Sequence, residues 1–87
     1  MEYLVEYYNG KTKDGFKNLQ QARKNAYANV KYRQDITIYK RSATGNEYIV
    51  GEVMRTVYPQ GILYKEHLTD KCWVLNKDGT LGKKVKW

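Results

Sequence analysis

The sequence is poor in the residues from which most chemical sites are built. Its 87 residues include one Cys (Cys72), one His (His67), one Pro (Pro59) and one Ser (Ser42). A single Cys excludes an internal disulfide and points to a reducing, cytoplasmic setting. One Cys, one His and scattered acids make a poor metal site, so no metal and no small-molecule cofactor is expected. No apolar run approaches the ~18 residues that a membrane span needs, so no membrane partner is expected. The opening stretch Met1-Glu2-Tyr3-Leu4-Val5-Glu6 is acidic and alternating rather than basic and then apolar, which is not the pattern of a secretory leader. Gly-rich phosphate loops, Cys-x-x-Cys pairs and a Ser in a nucleophile elbow are all missing.

What the sequence has in excess is positive charge and tyrosine. Sixteen Lys and Arg stand against nine Asp and Glu, a net charge of +7, and nine of the twelve aromatic residues are Tyr. A hydrophobic fraction of 41% is enough for one small core, and the length predicts one domain over residues 1–87. The charge is uneven. Residues 9–41 hold nine Lys and Arg against two Asp, and residues 71–87 hold five Lys against one Asp, while the stretches 1–8 and 42–70 are each slightly acidic. Two basic blocks therefore flank an acidic middle. A fold that joins them would carry a strong positive field on one side.

Periodicity predicts an α+β chain of order β-α-β-β-β-β, with a C-terminal hairpin, in which one helix packs on an antiparallel sheet. Residues 3–8 alternate as a strand. Asn9-Gly10 and Asp14-Gly15 bracket what reads as a lysine-rich loop. Asn18 is a good helix N-cap, Gln21 sits where a capping box places its partner, and Leu19, Ala22, Ala26 and Val30 form one apolar stripe. Basic residues suit a helix end near Lys31–Gln34. Strands follow over 35–41, 47–58 and 62–68. Gly51 marks an expected bulge, without which Glu47 and Glu52 point to opposite faces. Tyr58-Pro59-Gln60-Gly61 reads as a turn, and Asp78-Gly79 as the turn of the last hairpin.

These features favour a binding protein over an enzyme. His67 and Cys72 are five residues apart across an expected turn, the one spacing that suggests a Cys–His dyad, but a free Cys beside a Trp more often simply packs. The candidate binding residues are Lys11, Lys13, Lys17, Arg23, Lys24, Tyr27 and Lys31 around the helix, and Trp73, Lys83, Lys84 and Trp87 in the C-terminal hairpin. Lysines and arginines neutralise phosphates, and tyrosines such as Tyr8, Tyr27, Tyr32, Tyr39 and Tyr58 can stack on bases. Trp and Arg are also common anchors of protein interfaces. The expected partner is an acidic protein surface, a nucleoprotein complex, or nucleic acid directly.

The stretch Asn18-Leu19-Gln20-Gln21-Ala22-Arg23-Lys24-Asn25-Ala26, set between Tyr3–Tyr7 and Ile36–Tyr39, resembles small bacterial and phage β-α-β-β domains in which a helix with two spaced alanines lies on a small sheet. In element order it is also similar to some small anti-CRISPR proteins of phages. That resemblance implies a phage or mobile-element inhibitor or accessory factor. Many such inhibitors are acidic mimics of DNA. A basic chain argues against mimicry and for docking on an acidic patch or in a nucleic-acid channel.

Overall fold

Glycine turns of one design organise the sheet. In the computed structural model, which describes residues 2–57 and 61–86, three five-residue turns share one hydrogen-bond pattern. In Tyr7–Lys11, Ser42–Asn46 and Asn76–Thr80, the first residue donates its N–H to the carbonyl of the fifth. The glycine in fourth place donates to the carbonyl of the first. Gly10, Gly45 and Gly79 hold φ between 84° and 89°, where a side chain would be strained. Each turn reverses the chain into an antiparallel neighbour.

The strands are β1 (Glu2–Glu6), β2 (Thr12–Phe16), β3 (Ile36–Arg41), β4 (Glu47–Arg55), β5 (Ile62–Glu66), β6 (Cys72–Leu75) and β7 (Leu81–Val85), with one helix, α1 (Leu19–Asn29), between β2 and β3. They form a single antiparallel sheet in the order β2-β1-β3-β4-β5-β6-β7. The chain leaves the sheet at edge strand β2, crosses β1 through α1 and returns at β3. This crossing lays the helix on one face, against β1, β2, β3 and β4.

Three sequence expectations are corrected. The stretch expected to be a lysine-rich loop is strand β2, so the element order gains a strand before the helix. Its pattern hides it: Thr12-Lys13-Asp14-Gly15 is wholly exposed, and only Phe16 is half-buried. An edge strand needs little apolar surface, and lysines there discourage further pairing. The helix ends at Asn29, not near Lys31–Gln34. Val30 turns extended and buries its side chain, its N–H still bonding the carbonyl of Ala26. Lys31–Gln34 forms a separate turn closed by a 2.9 Å bond from Gln34 N–H to Lys31 C=O, with Arg33 at φ 63°. Finally, two strands stop early: β4 at Arg55 rather than near residue 58, and β5 at Glu66, with His67–Thr69 in the turn to β6. The expected turn at Tyr58-Pro59-Gln60-Gly61 falls mostly outside the described residues, as does Trp87.

The helix start forms much as its residues suggest. Asn18 Oδ1 accepts from Gln21 N–H at 2.9 Å, and Gln21 Oε1 accepts from Lys17 N–H at 3.1 Å, one residue before the position a capping box uses. Ala22, Ala26 and Val30 are buried with Val5, Ile36, Ile38, Val53, Ile62, Tyr64 and Leu75, and Leu19 packs on the edge of this cluster. The bulge falls at Val50, the extra residue between the pairs Ile38–Gly51 and Tyr39–Ile49. The phenol end of the Tyr64 ring lies against Gly51, where any Cβ would collide with it. Val50 C=O accepts from Tyr64 Oη at 3.3 Å and from His67 N–H at 3.1 Å. The bulge therefore leaves no orphan carbonyl there.

At the far end of the sheet, the Asn76–Thr80 turn reaches back to the helix. Arg23 Nε donates to Gly79 C=O at 2.8 Å and Gln20 Nε2 to Asp78 C=O at 3.2 Å. The sheet thus curls so that its C-terminal hairpin clasps the first turns of α1. No helix among the described residues is long and apolar enough to cross a membrane.

Candidate basic interface

Cross-strand partners in an antiparallel ladder point to the same face of a sheet. The register therefore sorts the charged side chains. Glu2, Arg41 and Glu47 align across β1, β3 and β4, and Glu6, Thr37, Glu52 and Lys65 align across β1, β3, β4 and β5. Both rows lie on the face away from the helix. The Val50 bulge brings Glu47 and Glu52 to the same face. Asp14 joins this face through Arg41, whose guanidinium lies 3.0 Å from Glu2, 3.3 Å from Asp14 and 2.9 Å from Glu47. Hydrogen bonds that Arg41 donates to Glu47 and Asp14 lead the causes that hold the guanidinium protonated more firmly than usual. Tyr39 Oη donates to Glu6 at 2.9 Å, and burial followed by this carboxylate raises the phenol above its ordinary range.

Other lysines take the opposite side. Lys13 pairs with Val5, Lys40 with Tyr3 and Tyr48, and Lys84 with Trp73, and Val5, Tyr3 and Trp73 all pack towards the helix. So one residue of each basic block, Lys13 and Lys84, stands on the helix-bearing side, at opposite ends of the sheet. Lys24 is exposed on the helix itself, and Lys11, Lys17 and Lys31 are exposed beside it. Of the six strand carboxylates, only Glu66, opposite Gly51, faces the helix side. Among the described residues only Arg41 and Lys65 lie in ion pairs, and both are on the carboxylate face.

Several expected site residues are tied into the fold instead of standing free. Arg23 is half-buried, bonded to Gly79 and placed over the Tyr64 ring at 5.1 Å. Tyr27 and Trp73 are half-buried against the core. Lys83 is exposed on edge strand β7, and Trp87 lies outside the described residues. Of the expected stacking tyrosines, Tyr8 and Tyr32 are exposed, at 68% and 50%, and Arg33 sits 5.3 Å from the Tyr32 ring. Position in a turn rather than in a strand is what exposes them, and the Asn9-Gly10 signal carries that information for Tyr8.

His67 and Cys72 stand in different settings. His67 is exposed in a groove lined by Lys40, Glu47, Tyr48, Ile49, Val50 and Leu68. Cys72 is buried in β6 on the carboxylate face, opposite Lys65 and Val85. Burial raises the Cys72 thiol above its ordinary value, the reverse of what a thiolate nucleophile needs. Among the described residues no group of three or more His, Cys, Asp or Glu side chains is placed to hold a metal ion. No family model, curated protein or solved structure matches the chain.

Proposed function

We propose that this is a non-enzymatic binding domain that docks its helix-bearing, lysine-rich side on a nucleic-acid-handling complex, as an inhibitor or accessory factor of phage or mobile-element type. The observation that carries this reading is the segregation of charge. Five of the six strand carboxylates share one face, where Arg41 pairs with three of them, while among the described residues no lysine of the helix-bearing side lies within ion-pair distance of a carboxylate. Unpaired lysines are fully hydrated and release bound counter-ions or water on meeting an anionic surface, which favours both affinity and a fast on-rate. A second reading is a stand-alone, low-specificity nucleic-acid binder. The exposed Tyr8 ring, which shares a groove with Lys31, favours it. Affinity capture with the tagged chain, with and without nuclease, separates them. Recovery of a defined nucleic-acid-handling protein that survives nuclease supports the first. Recovery that vanishes with nuclease supports the second. No specific recovery in either condition refutes both.

A further inference from the structure

Where β1 ends, the helix stops and the Lys31–Gln34 turn begins, the surface opens into a groove of about 350 Å³. Its floor is Tyr7 and Ile36, and its walls are Tyr8, Asn9, Asn29, Lys31 and Gln34. Two of the wall amides are pinned. Asn9 Oδ1 accepts from Lys11 N–H at 3.1 Å, which leaves its NH₂ group free to donate. Asn29 Nδ2 donates to Asn25 C=O at 2.7 Å, which leaves its Oδ1 free to accept. The floor is held as well, since Tyr7 Oη donates to Asn25 Oδ1 at 2.6 Å. The groove therefore presents a fixed donor, a fixed acceptor, the adaptable Gln34 amide and the Lys31 ammonium, beside an aromatic ring that is 68% exposed.

We propose that this groove takes one unpaired nucleotide of a single-stranded nucleic acid. An exposed aromatic ring is the usual platform for a base, and every base has a face to stack on it. The free donor at Asn9 and the free acceptor at Asn29 suit the mixed donor–acceptor Watson–Crick edge of a base, which only an unpaired base presents. The helix end here exposes carbonyls, so it favours the donors of a base and repels phosphate. Phosphate is then met by the Lys31 ammonium in the groove wall. The volume suits one nucleotide and not a duplex. The inference rests on the proposed function only for the class of partner, and it assigns the contact to exposed single strand within that complex.

Fluorescence anisotropy with labelled oligo(dT) and oligo(rU) tests it on the intact chain. Tyr8→Ala should weaken binding by about 5- to 150-fold, the usual cost of losing one stacked base. Tyr8→Phe should bind like wild type. Lys31→Gln should make the log–log salt slope shallower by about 0.7. Lys83→Gln removes the same charge at the far edge of the sheet and should affect affinity less. Circular dichroism of each variant, and side-chain amide shifts of Asn9, Asn29 and Gln34 on titration with thymidine monophosphate, guard against a folding artefact. The proposal is overturned if wild type binds neither strand, if Tyr8→Ala binds as tightly as wild type, or if the amides do not shift. It is also overturned if Tyr8→Ala weakens only a nuclease-resistant protein contact. Each of these results leaves the affinity-capture test of the docking reading to be judged separately.

Discussion

Replacing Gly79 with Ala should unfold the clasp between the C-terminal hairpin and the helix, and Gly45→Ala supplies its control. Both glycines sit in turns of the same design, at φ 89° and 88°. A non-glycine residue at such φ costs roughly 1–2 kcal/mol wherever it stands. Around Gly45 nothing lies within 4 Å of an added Cβ. At Gly79 the same methyl group collides with the backbone carbonyl of Gln20, and 3.0 Å away it meets the amide nitrogen of Lys24. Backbone in a helix does not give way cheaply, so the turn must retreat. Retreat breaks the Arg23–Gly79 and Gln20–Asp78 hydrogen bonds. The first, from a charged donor, is worth about 1.5–3 kcal/mol, and the second, more exposed, about 0.5–1.5 kcal/mol. Gly45→Ala should therefore lose about 1–2 kcal/mol and Gly79→Ala about 2–4 kcal/mol more. A chain of this length has roughly 4–13 kcal/mol to lose. Urea unfolding followed by circular dichroism, with the slope held common, reads the difference as a shift in midpoint. Equal losses for the two variants would show that the hairpin tip adds no stability through the helix.

Four further outcomes are expected. Ala26→Leu should overpack the contact between helix and sheet and cost about 1–3 kcal/mol in the same urea melts; wild-type stability would mean that Ala26 does not face the core. Iodoacetamide should label Cys72 slowly in the native chain at pH 8 and rapidly in urea, because burial both hides the thiol and raises its pKa; equal rates would place it in an accessible site. Asp78 accepts from the Thr80 hydroxyl and N–H, which lowers its pKa. Its stabilising contribution is thus present above the ordinary Asp value of about 3.9 and is lost as the pH falls through the lower folded value. Asp78→Asn should flatten that acid arm of stability against pH, and an unchanged arm would rule out the carboxylate as its source. Lys24→Glu with Lys31→Glu should slow association with the captured partner, and the loss should shrink as salt rises; an unchanged on-rate at low salt would show that these two lysines do not steer docking.

The helix was legible because its signals are local and agree with one another. Asn18 caps it, Gln21 supports the cap, and two alanines in the apolar stripe allow close approach to the sheet. The C-terminal boundary was not, because Val30 and Lys31 suit the helical pattern equally well. What ended the helix was the pull of the core on Val30, a tertiary effect. Strand β2 was missed for a related reason. Alternation reports burial, and an edge strand with four exposed residues out of five has almost none to report. The usable signal was Asn9-Gly10, which has the same turn chemistry as Thr44-Gly45 and Asp78-Gly79.

The basic side was only half legible, because composition gives the amount of charge while register decides where it points. Lys40 and Arg41 are adjacent in sequence, yet they emerge on opposite faces of β3, one beside Tyr3 and the other among Glu2, Asp14 and Glu47. A shift of one residue would exchange them. The Val50 bulge performs such a shift within β4, and it is what lets Glu47 and Glu52 share the carboxylate face. Without the extra residue, one of the two acids would lie among the lysines and weaken their field. The bulge therefore does two things at once. It turns Gly51, which has no side chain, to the face where the Tyr64 ring packs, and it keeps Glu47 and Glu52 together off the side proposed to dock. Core packing and surface charge are thus set by the same residue count between Glu47 and Glu52, which is why neither basic block, read alone, reveals the face that carries it.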